Sequence, residues 1–183
     1  AKLSEDIKDF SVDSEGQLQI VSRPFDLVSM VADLVSQMEP LAAERGNKLT
    51  LKIPSSGMPD LFAGDEGKIA QVLQTLIANA IKFTKDGQVA VELAREGAIA
   101  PGGSCFYKLR VSDTGLGISQ GKLKRIFDFT GEESASPVLG GVGLGLAVAK
   151  GMVEAMGGTI TATSQKGKGS TFSFSIPLDE ARS

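Results

Sequence analysis

LGGVGLGLAVAKGMVEAM, from Leu139 to Met156, joins a glycine-rich loop directly to a helical pattern. Glycines lack a Cβ atom, so the backbone of this loop can turn sharply and lie close to a ligand. The apolar residues that follow recur at helical spacing and predict one buried stripe: Leu144, Val148, Met152 and Ala155. The free N–H groups and positive dipole end of such a helix suit a phosphate group. A glycine-rich connection without a ligand is the plainer alternative.

The glycine pattern does not match two common nucleotide-binding motifs. GVGLGL does not complete G-x-G-x-x-G, and GKGST, residues 167–171, has Gly after the Lys where a P-loop needs Ser or Thr. Any nucleotide must therefore be held in another way.

A second long helical pattern is predicted from Glu66 to Thr84 and has two distinct faces. Its apolar face predicts a core contact: Ile69, Val72, Leu73, Leu76, Ala80 and Phe83. Its polar face follows the spacing i, i+4, i+8 and i+11: Gln71, Thr75, Asn79 and Lys82. Because Ile77 and Ile81 flank the polar positions, little of this helix is left for solvent, which favours a functional cleft over a plain solvated face.

Composition narrows the classes of function. The 183 residues suffice for one domain with a core, and a net charge of −3 without a basic stripe disfavours nucleic-acid binding. The chain has no histidine, which excludes catalysis by serine–histidine or cysteine–histidine pairs. The single cysteine, Cys105, cannot build a disulfide framework and is interpreted as a small strand residue. No apolar run reaches the roughly 18 residues of a membrane span.

The remaining patterns predict shorter elements around these two helices. Asp26 should cap a helix that ends at Gly46 and that Pro40 kinks or divides. Ser119 should cap a short basic helix. Strands are predicted at 18–21, 48–53, 61–64, 88–94, 105–111, 159–164 and 170–177. Together they predict an α/β two-layer sandwich with a mixed β-sheet and helices on one face.

Two loops complete the pattern. Asp113 stands at the end of a predicted strand, where Gly115 and Gly117 let the backbone turn beside it. Such an Asp can also be a simple turn former. Residues 128–139 lack periodicity and are interpreted as a mobile lid.

Three separated stretches resemble, in order, the N, G1 and G2 boxes of sensor histidine kinases. They are LIANAIKFT (76–84), VSDTGLGI (111–118) and GGVGLGLAVAK (140–150). The sequence around these boxes also resembles that of sensor histidine kinases, from about residue 3 to 178. The chain is therefore similar to the catalytic, ATP-binding domain of these kinases. That domain has the Bergerat ATP-binding fold of the gyrase, Hsp90 and MutL type.

The resemblance implies a division of the chain into three parts. Residues 1–14 would be the truncated end of the dimerisation and phosphoacceptor helix. Residues 15–179 would be the catalytic ATP-binding domain, and residues 180–183 a tail.

The resemblance also implies a role for each matched residue, with ATP and Mg²⁺ as cofactors. Asn79 would coordinate Mg²⁺ through its side-chain oxygen, and Lys82 would contact a phosphate; both are expected to be catalytic. Asp113 would accept a hydrogen bond from the adenine amino group. Thr171 would support the adenine pocket. The implied ATP-binding set is Asn79, Lys82, Phe83, Asp113, Gly115, Gly117, Ile118, Phe127, Gly141, Val142, Gly143, Leu144, Gly145, Leu146 and Thr171.

Three features depart from the family pattern. Thr75 stands where gyrase-type ATPases place a catalytic Glu, so a water nucleophile lacks its base and phosphotransfer is favoured over hydrolysis. IFDFTGEE lacks the Pro of the usual IFEPF pattern, which leaves Phe127 and Phe129 as expected lid anchors. No Lys or Arg lies between residues 128 and 142. Cations of the preceding helix could substitute: Lys122, Lys124 or Arg125.

The implied function is transfer of the γ-phosphoryl group of ATP to a histidine outside this chain. The implied partners are the protein's own dimerisation helices, in a homodimer, and the receiver domain of a response regulator. Neither nucleic acid nor membrane contact is expected for this segment, which would be cytoplasmic in a parent that a membrane could anchor. Two alternatives stay open: a degenerate nucleotide-binding scaffold, and a hydrolytic ATPase of the gyrase or Hsp90 type.

Overall fold

The computed structural model describes residues 19–97, 104–128 and 142–181. These residues form seven strands and four helices. In chain order they are β1 (Arg23–Phe25), α1 (Leu27–Glu44), β2 (Lys48–Lys52), β3 (Phe62–Gly64), α2 (Glu66–Lys82), β4 (Gln88–Glu96), β5 (Ser104–Asp113), α3 (Gln120–Leu123), α4 (Val142–Ala155), β6 (Thr159–Gln165) and β7 (Gly169–Glu180).

All seven strands belong to one mixed sheet. The strand order is β1-β3-β7-β5-β4-β2, and β6 also pairs with β7. Strand β2 runs parallel to β4, and every other described pairing is antiparallel. Strand β7 pairs with β5 along one edge, while β6 and the end of β3 share its other edge. The α/β mixed-sheet prediction is therefore confirmed.

The core lies between the sheet and helices α1, α2 and α4. Alternate residues of β4, β5 and β7 point toward these helices and are almost fully buried: Val89, Val91, Leu93, Tyr107, Leu109, Val111, Phe174 and Ile176. The opposite face of the sheet carries ion pairs instead, between Arg110 and Glu92 and between Lys108 and Glu96. One covered face and one polar face make the predicted two-layer sandwich.

Helix α1 begins directly after its predicted cap, Asp26, and includes Pro40. The Asp26 carboxylate accepts a hydrogen bond from the Ser29 N–H at 3.0 Å. Pro40 lies inside one continuous helix, so of the two predicted effects, a kink or a division, the division does not occur. Its side chain is exposed, so the carbonyl that loses a helical donor there can reach water.

The first strand begins five residues after the predicted start. The predicted strand at 18–21 is wrong, because β1 is Arg23–Phe25 and pairs with β3. Phe25 is buried against Phe62, whereas Val21 is exposed. The contact of Phe25 with the core, rather than the apolar run before it, fixes where the strand forms.

Helix α4 buries only part of the predicted stripe, and the side chain of Leu144 lies outside the described residues. Among the side chains described, Leu146, Ala149, Met152 and Val153 are buried, whereas Ala155 is exposed and Val148 is only half-buried. The helix ends at a pair of glycines: Gly157 has φ +86°, and the Gly158 N–H donates to Val153 O at 2.9 Å.

Several predictions concern residues that lie outside the described part of the chain. They are the dimerisation-helix stub at 1–14, Phe129 and the lid beyond Asp128, and the loop glycines Gly140 and Gly141.

Candidate functional site

The polar face of α2 is the first component of the site. Asp65 caps the helix by accepting from Lys68 N–H at 3.1 Å, and Phe83 closes its other end. Asn79 is buried, whereas Lys82, in the last turn, is exposed. The Thr75 hydroxyl donates to Gln71 O at 2.9 Å, so this side chain is committed to its own helix.

The C-terminal end of α2 is held by a group that the sequence reading missed, here called the α2 clamp (Arg45 and Asn47). Arg45 Nε donates to Ile81 O and Thr84 O at 3.0 and 3.1 Å. The buried Asn47 amide donates to the same two carbonyls at 3.3 and 2.8 Å, and its oxygen accepts from Gly87 N–H at 3.0 Å. The clamp satisfies carbonyls that a helix end leaves unpaired, so it fixes α2 relative to the sheet.

Asp113 lies at the end of β5, with its carboxylate held on one side. The N–H groups of Gly115 and Ser170 both donate to Asp113 Oδ1, at 3.0 and 3.2 Å. Burial raises the pKa of the Asp113 carboxyl, and these two N–H groups together with the nearby Thr84 hydroxyl oppose that shift without cancelling it. With both backbone donors on Oδ1, Oδ2 is the oxygen best placed for a further donor.

The Thr84 side chain beside Asp113 is fully buried. Its hydroxyl oxygen makes no hydrogen bond of good geometry to any described residue, although it lies near the carboxylate. An orphaned buried hydroxyl is uncommon, and its place next to Asp113 marks this corner as polar.

Glycines around Asp113 are required by backbone contacts. A Cβ atom on Gly115 would lie 2.2 Å from Phe83 O, and one on Gly117, at φ +73°, would lie 2.2 Å from Gln165 O. A Cβ atom on Gly169, at φ +133°, would lie 2.0 Å from Asp113 O. No side chain fits at these distances. Backbone therefore packs directly against backbone around the Asp113 carboxylate, where three segments come together: the end of α2, the G1 stretch and the β6–β7 turn.

The β6–β7 hairpin places Ser170 beside the Asp113 carboxylate and Thr171 beside Ser112. Strand alternation puts Ser170 on the same face as Phe172 and Asp113, and Thr171 on the opposite face, where its hydroxyl meets Ser112 at 3.2 Å. The alternation of Phe172, Phe174 and Ile176 already carried this signal. Ile118, a member of the implied ATP-binding set, is joined to the same hairpin, since its N–H donates to Ser164 Oγ at 2.7 Å.

The start of α4 packs against the polar face of α2. A Cβ atom on Gly145 would lie 3.5 Å from Thr75 Cγ2, one helical turn from Asn79. Gly143 and Leu144 lie in the first turn of α4. Leu146, the fifth residue, has a buried side chain and follows the four residues whose N–H groups a helix leaves free. Gly141 lies outside the described residues.

The short segment after α3 packs its aromatic side chain on the sheet. Phe127 contacts Phe172 edge to face, with ring centroids 6.1 Å apart. Phe83, predicted in the core, is only half-buried. The structure therefore collects Asp113, Gly115, Gly117, Ile118 and Ser170 in one corner, with the α2 face and the start of α4 beside it.

Neither a cluster of metal-ligating side chains nor a membrane-spanning helix is found in the described residues. Across 19–97, 104–128 and 142–181, no group of three or more histidine, cysteine or acidic side chains is placed to hold a metal ion. None of the helices in those ranges is long and apolar enough to cross a membrane.

Comparison with known proteins gives a consistent result. Residues 64–180 match the family described as histidine kinase-, DNA gyrase B-, and HSP90-like ATPase. The chain is similar to the sensor histidine kinase AruS of Pseudomonas aeruginosa, with 41% identity over 156 residues that cover 84% of this chain and 15% of AruS. It is also similar to the signal transduction histidine-protein kinase BarA of Escherichia coli, with 36% identity over 176 residues, 95% of this chain and 19% of BarA.

A solved structure agrees with these relatives. The crystal structure of full-length ShkA in complex with AMPPNP has a TM-score of 0.73 and 29% identity, and the match covers 91% of this chain and 33% of ShkA. The chain thus spans about a fifth or less of the length of AruS and of BarA.

Proposed function

The chain belongs to the family of histidine kinase-, DNA gyrase B- and HSP90-like ATPases, as an ATP-binding domain of the sensor histidine kinase type, and we propose that it presents Mg²⁺-ATP to a histidine of the same protein. The proposal covers the metal, the acceptor and the roles of individual residues. Its closest structural support is the arrangement around Asp113.

Adenine would be recognised at Asp113. Because Gly115 and Ser170 hold Oδ1, Oδ2 is left to accept a hydrogen bond from the 6-amino group of the base. A guanine base carries an oxygen at this position. That oxygen and Asp113 Oδ2 are both acceptors, so no hydrogen bond could form between them. Ile118 would add an apolar wall, and Phe127 and Phe83 would border the pocket.

The phosphates would lie between α2 and the start of α4. The free N–H groups of the first turn of α4, at Val142, Gly143 and Leu144, suit an anion. Gly145 and the Gly141 loop complete the expected cradle. Lys82, exposed in the last turn of α2, would supply a positive charge.

Mg²⁺ would be held by the Asn79 oxygen together with phosphate oxygens. Mg²⁺ usually takes few protein ligands and shares its coordination with substrate phosphates, so one buried amide on the face that Gly145 covers fits it. When bound, the ion would neutralise charge on the transferring phosphoryl group.

Transfer is favoured over hydrolysis. Thr75 has no carboxylate, and its hydroxyl is spent on Gln71 O, so it cannot act as the base for water. The chain contains no histidine, so the acceptor imidazole would come from the dimerisation helices, with a receiver domain of a response regulator as the next acceptor.

The first test is calorimetric titration with ATP and ADP, with and without Mg²⁺. We expect Mg²⁺-dependent binding that Asp113→Asn weakens about tenfold to a hundredfold, because a hydrogen bond to a charged acceptor is lost. Glu92→Gln, on the polar face of the sheet, is the matched control and should bind as the wild type does. Equal affinity of Asp113→Asn and wild type would contradict the adenine assignment.

The second test supplies the missing acceptor. Histidine-bearing dimerisation helices of the parent protein, added in trans with ATP, should become labelled by the wild-type chain and not by Asn79→Ala. ATP binding without labelling would favour the scaffold, for which the altered F box is the specific observation. Rapid phosphate release by the chain alone would instead favour a hydrolytic ATPase.

A further inference from the structure

Ser164, in β6, joins the two loops that flank Asp113. Its hydroxyl oxygen lies 2.7 Å from Ile118 N, 2.9 Å from Gly169 O and 2.8 Å from Ser170 Oγ. Its own carbonyl also accepts from Gln120 Nε2 at 3.1 Å. One side chain therefore contacts the G1 stretch, the β6–β7 turn and the serine beside Asp113.

Only one arrangement of hydrogens satisfies all three contacts of the Ser164 hydroxyl at once. A hydroxyl group has one hydrogen to donate and two lone pairs that accept. Gly169 O can only accept, so it takes the hydrogen of Ser164. Ile118 N–H can only donate, so it takes one lone pair. The remaining lone pair of Ser164 must then accept from Ser170, whose hydroxyl hydrogen is used in that bond.

The consequence falls on Ser170. Its N–H is committed to Asp113 Oδ1 and its hydroxyl hydrogen to Ser164, so Ser170 Oγ can offer only lone pairs to any further partner. Next to it, Asp113 also offers only an acceptor. Two neighbouring acceptors favour a ligand that presents hydrogen-bond donors to them. The 6-amino group of adenine is such a donor, whereas a 6-oxo group can only accept.

We propose that Ser164 is a specificity-determining positioning residue, which acts by holding the Ser170 hydroxyl as an acceptor toward the purine 6-position. The inference rests on the proposed function, since it assigns the Asp113 corner to the base. It adds a residue that need not touch the nucleotide.

The test compares ATP with inosine triphosphate, in which a 6-oxo group replaces the 6-amino group. Calorimetry with Mg²⁺ gives the ratio of the two dissociation constants. Ser164→Ala frees the Ser170 hydrogen to turn toward the base, so the preference for ATP should fall about three- to tenfold, the effect of one hydrogen bond. Ser164→Thr keeps the hydroxyl and should keep the preference.

Two further variants separate this role from general loosening of the fold. Thr161→Ala removes a comparable hydroxyl contact, to Ser173 at 3.1 Å, on the other face of the same strand pair and should leave the ratio unchanged. In a Ser170→Ala background, Ser164→Ala should no longer change the ratio, because the residue through which it acts is absent.

The outcomes distinguish the two proposals. Wild-type protein that binds neither nucleotide would overturn the proposed function and this inference with it. Wild-type protein that prefers ATP, with an unchanged ratio in Ser164→Ala or an equal change in the Ser170→Ala background, would overturn the role of Ser164 alone.

Discussion

At Asp113, burial and hydrogen bonding act in opposite directions on one carboxyl group, and burial prevails, so its pKa lies above the ordinary value. Asp65 shows the reverse balance. Burial tends to raise the pKa of Asp65, but the N–H groups of Val21 and Lys68 and the Lys68 ammonium at 3.1 Å outweigh it and lower the pKa. The two carboxyls therefore affect folding with opposite signs.

We expect Asp113→Asn to stabilise the ligand-free protein at pH 7. A folded-state pKa above the unfolded value means that ionisation of Asp113 costs stability, and this cost grows as the pH rises from about 4 through the raised pKa. Asparagine keeps an oxygen for the Gly115 and Ser170 N–H groups and carries no charge. Urea unfolding from pH 4 to 8 should show the variant above wild type at neutral pH, with the difference shrinking on acidification.

Asp65→Asn is the control with the opposite expectation. A lowered folded-state pKa gives stability that is present above about pH 4 and lost as the pH falls through the folded value. This variant should be less stable than wild type at pH 7, with the deficit closing at acid pH. An Asp113→Asn protein less stable than wild type at pH 7 would contradict the assigned cause.

The choice between Ser170 and Thr171 shows how far residue-level prediction reached. The motif points to Thr171, but a motif does not show on which face of a strand a side chain lies. Strand alternation gives it, because Phe172 and Phe174 are buried and Ser170 shares their side of β7. Asn47 had no such signal, since its three partners come from residues 34 to 40 positions away.

At the scale of elements, the α2 clamp joins the loop after α1 to the end of the helix that carries Asn79. We expect Asn47→Ala to cost about 2–4 kcal/mol of unfolding free energy, because two carbonyls and one N–H group lose a buried partner. ATP affinity should fall with it, since the end of α2 is no longer held.

Urea unfolding measures the Asn47→Ala effect. Lys48→Ala, at the next and exposed position, should stay within about 0.5 kcal/mol of wild type. If Asn47→Ala behaves like Lys48→Ala, the clamp does not hold α2.

Two glycines make a second comparison between elements. Gly169→Ala should cost about 2–4 kcal/mol and abolish nucleotide binding, because its Cβ would meet Asp113 O in a left-handed backbone. Gly121→Ala, in α3 with open space around it, should be neutral or stabilise by about 0.5–1 kcal/mol. Thermal unfolding of both variants checks the difference, and a Gly169→Ala protein that melts with the wild type would contradict the backbone contact.

Element prediction succeeded where a local signal was strong. The cap at Asp26 and the strands β4 and β5 were visible in the sequence and are confirmed. It failed at β1 and at the buried stripe of α4. Both depend on which residues meet the core, as at Phe25 and Phe62, and this is decided by distant parts of the chain.

For the whole molecule, the absence of a histidine in the chain determines which phosphorylation products we expect. The chain alone, incubated with ATP labelled at the γ-phosphate, should bind nucleotide and acquire no acid-labile, base-stable phosphate, because it contains no histidine. The matched reaction with added dimerisation helices should place that label on the helices. Such a label on the chain itself would contradict the proposed reaction.

The strand order was beyond reach of the sequence. Interleaved helical and strand patterns predicted a mixed sheet, but nothing in β3 indicates that two of its residues pair with the end of β7. Such pairings come from the packing of the entire sheet, and the resemblance to a known family supplied the fold where local patterns could not.

Strand β7 is the last described strand of the chain, yet it pairs with β3, β5 and β6. During translation, the edge of β5 that pairs with β7 therefore stays unpaired until β7, which includes Ser170, has been synthesised. The corner around Asp113 is incomplete until β7 has left the exit tunnel, so a ligand held there could stabilise the nascent chain only after that point. Late closure of a central strand is slow and leaves a template for mispairing, so this domain would depend on protection of that edge during translation.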